Sequence, residues 1–146
     1  MAKILLLNGP NLNTLGQREP ELYGRATLLD VEASVRKLVE PAGHILAHFQ
    51  SNVEGELINW LHSQRPSDFL LLNAAGFTHT SVALRDAVKL TGIPFLEIHI
   101  SNVYKREPFR HHSYFADLAE GVIAGLGVLG YELGALYALD YLAKPK

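Results

Sequence analysis

The chain has 146 residues, 48% of them hydrophobic and 19% charged, with a formal net charge of −2. That length suits one domain with a real core, and the charge leaves no basic footprint for nucleic acid and no polybasic patch for a membrane. The absence of cysteine excludes disulfides, thiolate metal sites and cysteine nucleophiles.

Met1-Ala2-Lys3 runs directly into an apolar segment without a cleavable signal pattern. The longest nearly uncharged stretch, Gly121 to Tyr131, falls short of the roughly 20 residues that a membrane span needs. A cytoplasmic protein is expected. Along the chain, Ile4–Leu7, Ile45–Phe49, Phe69–Leu72 and Phe95–Ile100 read as strands, and their near-continuous apolar character suits parallel strands covered on both faces. Between them lie helical patterns. Leu28–Val39 carries a stripe of Leu28, Val31, Val35 and Leu38, with Thr27 as N-cap and Pro41 to Gly43 as the stop. Gly55–Ser63 places Leu57, Ile58 and Leu61 inward, and Ser81–Leu90 is closed by Gly92 and Pro94. A last helix is expected over about 117–139, its glycines at 121, 125, 127, 130 and 134 serving close helix packing, between subunits as one option. Alternating strands and helices with short turns predict one α/β domain over 1–146, a flavodoxin-like doubly wound parallel sheet with three α/β/α layers.

Polar residues gather where strands end, which is where open α/β sheets bind ligands. After the first strand comes a long loop, about 9–24, with Asn8, Asn11, Asn13, Arg18 and Tyr23. Such a loop is a lid, a binding loop or a solvated crossover. After the third strand come Asn73 and His79, and the fourth carries Glu97 and His99 before Ser101-Asn102, with Arg110 beyond. The period of two in a strand puts Glu97 and His99 on one side. The pair reads either as a charge-assisted proton donor or as a structural ion pair at a strand end.

Seven histidines raise the question of metal, yet none sits at a recognised ligand spacing. His44 and His48 lie in a strand-like run, and the adjacent His111 and His112 point apart. Asn8-Gly9-Pro10-Asn11 is a weak phosphate cradle because Pro10 lacks an N–H. No Walker lysine, dinucleotide fingerprint, nucleophile elbow or strand-buried lysine occurs. What remains is acid–base chemistry on an anionic or polyhydroxylated small molecule. Tyr23 is an unusual base, and a cation such as Arg18 beside it would favour the phenolate.

The order and spacing of longer motifs are more specific. Asn8-Gly9-Pro10-Asn11-Leu12-Asn13 with Leu15-Gly16, Arg18 and Tyr23-Gly24, Gln50-Ser51-Asn52 with Glu54-Gly55, Thr78-His79-Thr80-Ser81 with Arg85-Asp86-Ala87, Glu97 with His99 and Ser101-Asn102, Arg106-Glu107 with Phe109-Arg110, and Gly121 to Gly127 follow one another over nearly the whole chain. In these motifs the chain resembles the type II 3-dehydroquinate dehydratases, small flavodoxin-like lyases (hydro-lyases) of the shikimate pathway.

The resemblance implies anti elimination of water from 3-dehydroquinate through an enolate, giving 3-dehydroshikimate. It implies Tyr23 as proton acceptor, Arg18 as the cation that holds Tyr23 as phenolate on a lid, and Asn11 at the enolate through a water. His99 is then the proton donor, held by Glu97. Asn73 and the backbone N–H groups of Ile100 and Ser101 receive the substrate carboxylate, and His79 and Arg110 the ring hydroxyls. Asp86 comes from a neighbouring subunit of a homo-oligomer, a dodecamer built from trimers. No cofactor, metal, nucleic acid or membrane partner is implied. One departure stands out. Where the family reads Asn-Pro-Gly-(Gly/Ala)-Tyr-Thr-His, this chain has Asn73-Ala74-Ala75-Gly76-Phe77-Thr78-His79, so a positive φ at the first glycine position would strain Ala75.

Two rival readings make different use of these residues. A catalytically silent sensor of small carboxylates employs Asn73, His79 and Arg110 but has no work for Tyr23, Arg18 and the Glu97–His99 pair together. A phosphate- or nucleotide-binding hydrolase on the same fold would need to bind nucleotide.

Overall fold

The computed structural model describes residues 1–17, 21 and 24–145. Among these, strands Lys3–Asn8 (β1), Ile45–Gln50 (β2), Phe69–Asn73 (β3), Phe95–His99 (β4) and Gly121–Ala124 (β5) form a parallel sheet in the order β2-β1-β3-β4-β5. The helices are Leu28–Val39 (α1), Glu54–Ser63 (α2), Val82–Thr91 (α3) and Leu129–Ala143 (α4). This strand order is the flavodoxin-like one, with its switch point between β1 and β3.

Side-chain alternation along the strands divides the core into two layers. Ile4, Leu6, Phe69, Leu71, Leu96 and Ile98 pack with Val31 and Val35 of α1 and Tyr131 and Ala135 of α4. Leu5, Leu7, Leu70, Leu72 and Phe95 face the other way, onto Leu57 and Leu61 of α2 and Leu84 and Val88 of α3. Buried on both sides, β1 and β3 have no polar face to present, hence their unbroken apolar runs Ile4–Leu7 and Phe69–Leu72. Helix starts follow local chemistry. The Thr27 side chain accepts from Asp30 N at 3.2 Å while the Asp30 carboxylate accepts from Thr27 N at 3.0 Å, a reciprocal capping box at α1. Ser81 caps α3 by accepting from Leu84 N at 2.9 Å, and Gly92 ends it at φ +68.

The C-terminal segment departs from expectation. The single helix predicted over about 117–139 is replaced by strand β5, paired with β4, followed by α4. Gly125 and Gly127 sit at φ +87 and +65, outside the helical region, and turn the chain from the sheet edge into α4. The small residues further on serve packing inside the chain: a Cβ at Gly134 would stand 2.8 Å from Cδ1 of Ile98, so α4 lies close on the sheet. Gly9 marks an even tighter approach. A Cβ there would meet the Ala74 carbonyl oxygen at 2.4 Å, and Gly9 N donates to Asn73 O at 2.8 Å. The backbones leaving β1 and β3 thus run against each other at the switch point. A Gly9→Ala substitution must push them apart and should cost about 1–3 kcal/mol in chemical denaturation; an unchanged midpoint would show that this approach tolerates a side chain.

Candidate active site

At the C-terminal ends of β1, β3 and β4 opens a cavity of about 190 Å³. Its walls include Asn11, Asn73, His79, His99, Ser101 and Arg110. β1 and β3 end in register, Asn8 opposite Asn73, so the cavity stands at the switch point where this topology leaves a crevice.

β4 supplies the acid–base pair. Glu97 and His99 are 3% and 5% exposed and share one face, with Nε2 of His99 bonded to Oε2 of Glu97. The second carboxylate oxygen accepts from Ser113 Oγ at 2.7 Å, and that hydroxyl oxygen accepts in turn from the backbone N–H of Phe115 and Ala116. Both oxygens of the buried Glu97 carboxylate are therefore partnered, as burial demands. Glu97 engages Nε2, so Nδ1 is the ring nitrogen left to exchange a proton with a ligand. The loop that carries Ser113 is itself tied to α3, where Arg85 donates to Tyr114 O at 2.7 Å and to both oxygens of Asp117.

His79 stands beside this pair, its ring 6.3 Å from that of His99 and nearly parallel to it. Its Nδ1 donates to the carbonyl of His112 at 2.7 Å. Burial holds its pKa below the ordinary imidazole value. Neutral, with Nδ1 occupied as donor, His79 offers Nε2 as an acceptor suited to a hydroxyl.

Asn73, 3% exposed, ends β3. Its Oδ1 accepts from the N–H of Ala75 at 3.0 Å and its Nδ2 donates to the Tyr131 hydroxyl at 2.8 Å. One amide N–H is left over for a ligand. The close turn back from Ala75 N to the Asn73 side chain places Ala75 at φ +51, the left-handed conformation that an alanine resists. The departure from the family motif thus falls on a strained position. His79 follows in the same 3₁₀ turn, Ala75–His79.

Asn11 opens the short 3₁₀ turn Leu12–Thr14, itself left-handed at φ +71. Its N–H donates to Asn52 Oδ1 at 2.8 Å, while Gln50 Nε2 reaches both Gly9 O at 3.0 Å and Asn52 Oδ1 at 3.1 Å. The end of β2 thereby clamps the start of the loop after β1. Arg18 and Tyr23, on the expected lid, lie outside the described residues.

Ile100 and Ser101 line the cavity just past β4, and Arg106 Nη1 donates to Ser101 Oγ at 3.3 Å. Arg110 lines it too, braced by Glu107 at 3.0 Å. Asp86 is not among the lining residues; it is exposed on α3. Gln50 and Asn52 enter the sequence reading only as members of a motif, and Ser113 and Tyr131 enter it in no role, since each acts through a neighbour. Three other histidines are engaged elsewhere: His44 Nδ1 accepts from Ala2 N, His48 lies between Asn8 and Glu32, and His111 Nε2 sits 3.3 Å from Arg106 O. Among the described residues no three His, Asp or Glu side chains converge as metal ligands.

Ala75→Gly should relieve about 1–2 kcal/mol of left-handed strain against about 0.4–1 kcal/mol of added unfolded-state freedom. A small net rise in the unfolding midpoint is expected, and a fall would mean that Ala75 is held without strain.

Comparison with known proteins identifies the family. Residues 2–139 match the family model described as dehydroquinase class II. A 3-dehydroquinate dehydratase of Haemophilus influenzae is 59% identical over 143 residues, covering 97% of this chain and 96% of the relative. The 3-dehydroquinate dehydratase 1 of Pseudomonas aeruginosa is 55% identical over 147 residues, covering 99% and 100%. The crystal structure of a type II dehydroquinase from Propionibacterium acnes superposes with a TM-score of 0.89 at 37% identity, over 96% of this chain and 97% of that one. These relatives lend no support to a silent sensor. With a family model matched over nearly its whole length, relatives of this identity and a superposing fold, the chain belongs to the class II dehydroquinase family.

Proposed function

We propose that the chain is a 3-dehydroquinate dehydratase acting as one catalytic domain, eliminating water to give 3-dehydroshikimate. The observation that carries the reading is the Glu97-backed His99 facing the same cavity as Asn73 and Arg110. Asn73 and the backbone N–H groups of Ile100 and Ser101 receive the ring carboxylate, and His79 and Arg110 bind hydroxyls. Tyr23, held as phenolate by Arg18, removes a proton beside the ketone. The C–H electron pair moves to the ketone oxygen, where a water held by Asn11 steadies the enolate. The pair then returns to form the C=C bond as the C–O bond breaks, and the leaving hydroxyl takes a proton from His99. Glu97 accompanies the charge of the imidazolium that supplies it. The lid excludes water and strengthens these charge interactions.

The same reading gives the protein a place in the shikimate pathway to chorismate and aromatic amino acids, in the cytoplasm. Among the described residues no helix is long and apolar enough to cross a membrane. Asp86, exposed and away from its own chain's cavity, would complete a neighbour's site in a dodecamer of trimers.

Dehydroquinate should give a conjugated enone, followed by ultraviolet absorbance, and borohydride should not inactivate the enzyme. His99→Ala should lower kcat by about 10²–10⁴-fold, the usual worth of general acid catalysis. Tyr23→Phe and Arg18→Ala should abolish turnover while the melting temperature holds. Retained turnover in Tyr23→Phe would remove Tyr23 as the base, and no enone from the unaltered protein would overturn the function.

A further inference from the structure

Behind Asn73 a line of polar groups runs along the α1/α4 face of the sheet, from the buried Tyr131 and Asn8 to the half-buried His48 and Glu32. Asn73 Nδ2 donates to the Tyr131 hydroxyl at 2.8 Å, and that hydroxyl donates to Asn8 Oδ1 at 2.6 Å. Asn8 Nδ2 lies 3.1 Å from His48 Nε2, and His48 Nδ1 lies 2.8 Å from Glu32 Oε1. Asn8 and Tyr131 are fully buried. None of Tyr131, Asn8, His48 and Glu32 lines the cavity.

The polarity of this line is decided at both ends. Ala75 N–H can only donate, so Oδ1 of Asn73 must face it and Nδ2 must face Tyr131. Burial pushes the pKa of the Tyr131 phenol up, so the hydroxyl keeps its proton. Having accepted from Asn73, it donates onward to Asn8. Asn8 then has only its NH₂ to give to His48, whose Nε2 must be a bare acceptor. His48 is left as the neutral tautomer with its proton on Nδ1, given to the Glu32 carboxylate. Every donor points the same way, from the cavity to Glu32, and no amide in the line can flip without breaking a bond at each side.

We infer that Tyr131 is a positioning residue: the line Tyr131–Asn8–His48–Glu32 locks the Asn73 amide so that its free N–H is presented to the substrate carboxylate. The inference rests on the reading of Asn73 as a carboxylate donor. A buried amide with a single satisfied arrangement is a rigid donor, and rigid donors lose little entropy on binding.

The line also ties binding to the state of His48. A protonated His48 turns Nε2 into a donor facing the donor Nδ2 of Asn8. Flipping Asn8 moves the conflict to Tyr131, and one buried bond is lost either way. The groups facing His48 are Glu32 and Arg36 of α1 and Asn8 of β1. Burial outweighs the pull of Glu32, with Arg36 acting in the same sense as burial, and His48 titrates below its ordinary 6.5. The intact line therefore exists in full above that ordinary value and is lost as pH falls through the lowered one.

The test is steady-state kinetics on dehydroquinate between about pH 5 and 8, with melting curves, for the unaltered enzyme, Asn73→Ala, Tyr131→Phe and His48→Gln. Asn73→Ala and Tyr131→Phe should each raise KM, Tyr131→Phe by about tenfold, with the effect on KM and not on kcat. In the unaltered enzyme KM should climb on the acid side. His48→Gln should flatten that climb, since a glutamine can accept from Asn8 and donate to Glu32 without titrating. A folded Tyr131→Phe with normal KM, beside a raised KM in Asn73→Ala, would overturn the positioning role and leave Asn73 its carboxylate. A normal KM in Asn73→Ala would overturn both. Should Tyr131→Phe not fold, His48→Gln decides: a flattened acid limb supports the inference, and an unchanged one sinks it.

Discussion

The site depends on two buried amides, Asn8 and Asn73, standing opposite each other where β1 and β3 end. A strand end is where ladder hydrogen bonds run out, and burying two more polar side chains there is costly unless each is partnered. Two partners come from far along the chain, Tyr131 from α4 and His48 from β2, and one is local, the N–H of Ala75. Much of the odd local structure follows. Gly9 lets the two exits touch, Ala75 accepts a left-handed backbone to return its N–H, and Gln50 with Asn52 clamps the loop that leaves.

On that base the cavity divides its work by element. β3 and its 3₁₀ turn supply a fixed donor in Asn73 and a neutral acceptor in His79, groups that hold a ligand without exchanging protons. β4 supplies the pair that can exchange one, and the loop from Ser113 to Asp117 holds it still. In the proposed reaction the ligand is gripped from one strand and acted on from the next. The bracing of Glu97 through Ser113, and of that loop through Arg85, gives His99 a position set by three separate elements.

Much of this was legible in the sequence, and the reasons are specific. Strands buried on both faces must be apolar throughout, so Ile4–Leu7 and Phe69–Leu72 announce themselves. Thr27 stands where the N-cap of α1 belongs, and a period of two puts Glu97 and His99 on one side whatever surrounds them. The C-terminal region was not legible in this way. β5 is a four-residue edge strand with one half-exposed face, and its Gly-rich surroundings carry the same small residues that a packed helix uses. Tyr131 illustrates a different limit. Nothing nearby in sequence distinguishes it from a core aromatic, because its partners Asn8 and Asn73 are set by topology alone. Asp86, by contrast, is legible only as an exposed carboxylate on α3, away from its own chain's cavity.

The proposed chemistry is removal of the proton on the carbon next to the leaving hydroxyl and on the opposite face of the ring, by Tyr23, with His99 serving the hydroxyl. Dehydroquinate deuterated stereospecifically at one or the other hydrogen of the methylene between the ketone and the hydroxyl-bearing carbon tests this most directly. Anti elimination predicts that the deuterium trans to the departing hydroxyl is lost from the product and slows the reaction, while the cis deuterium is retained. Retention of the trans label with loss of the cis one would contradict the account.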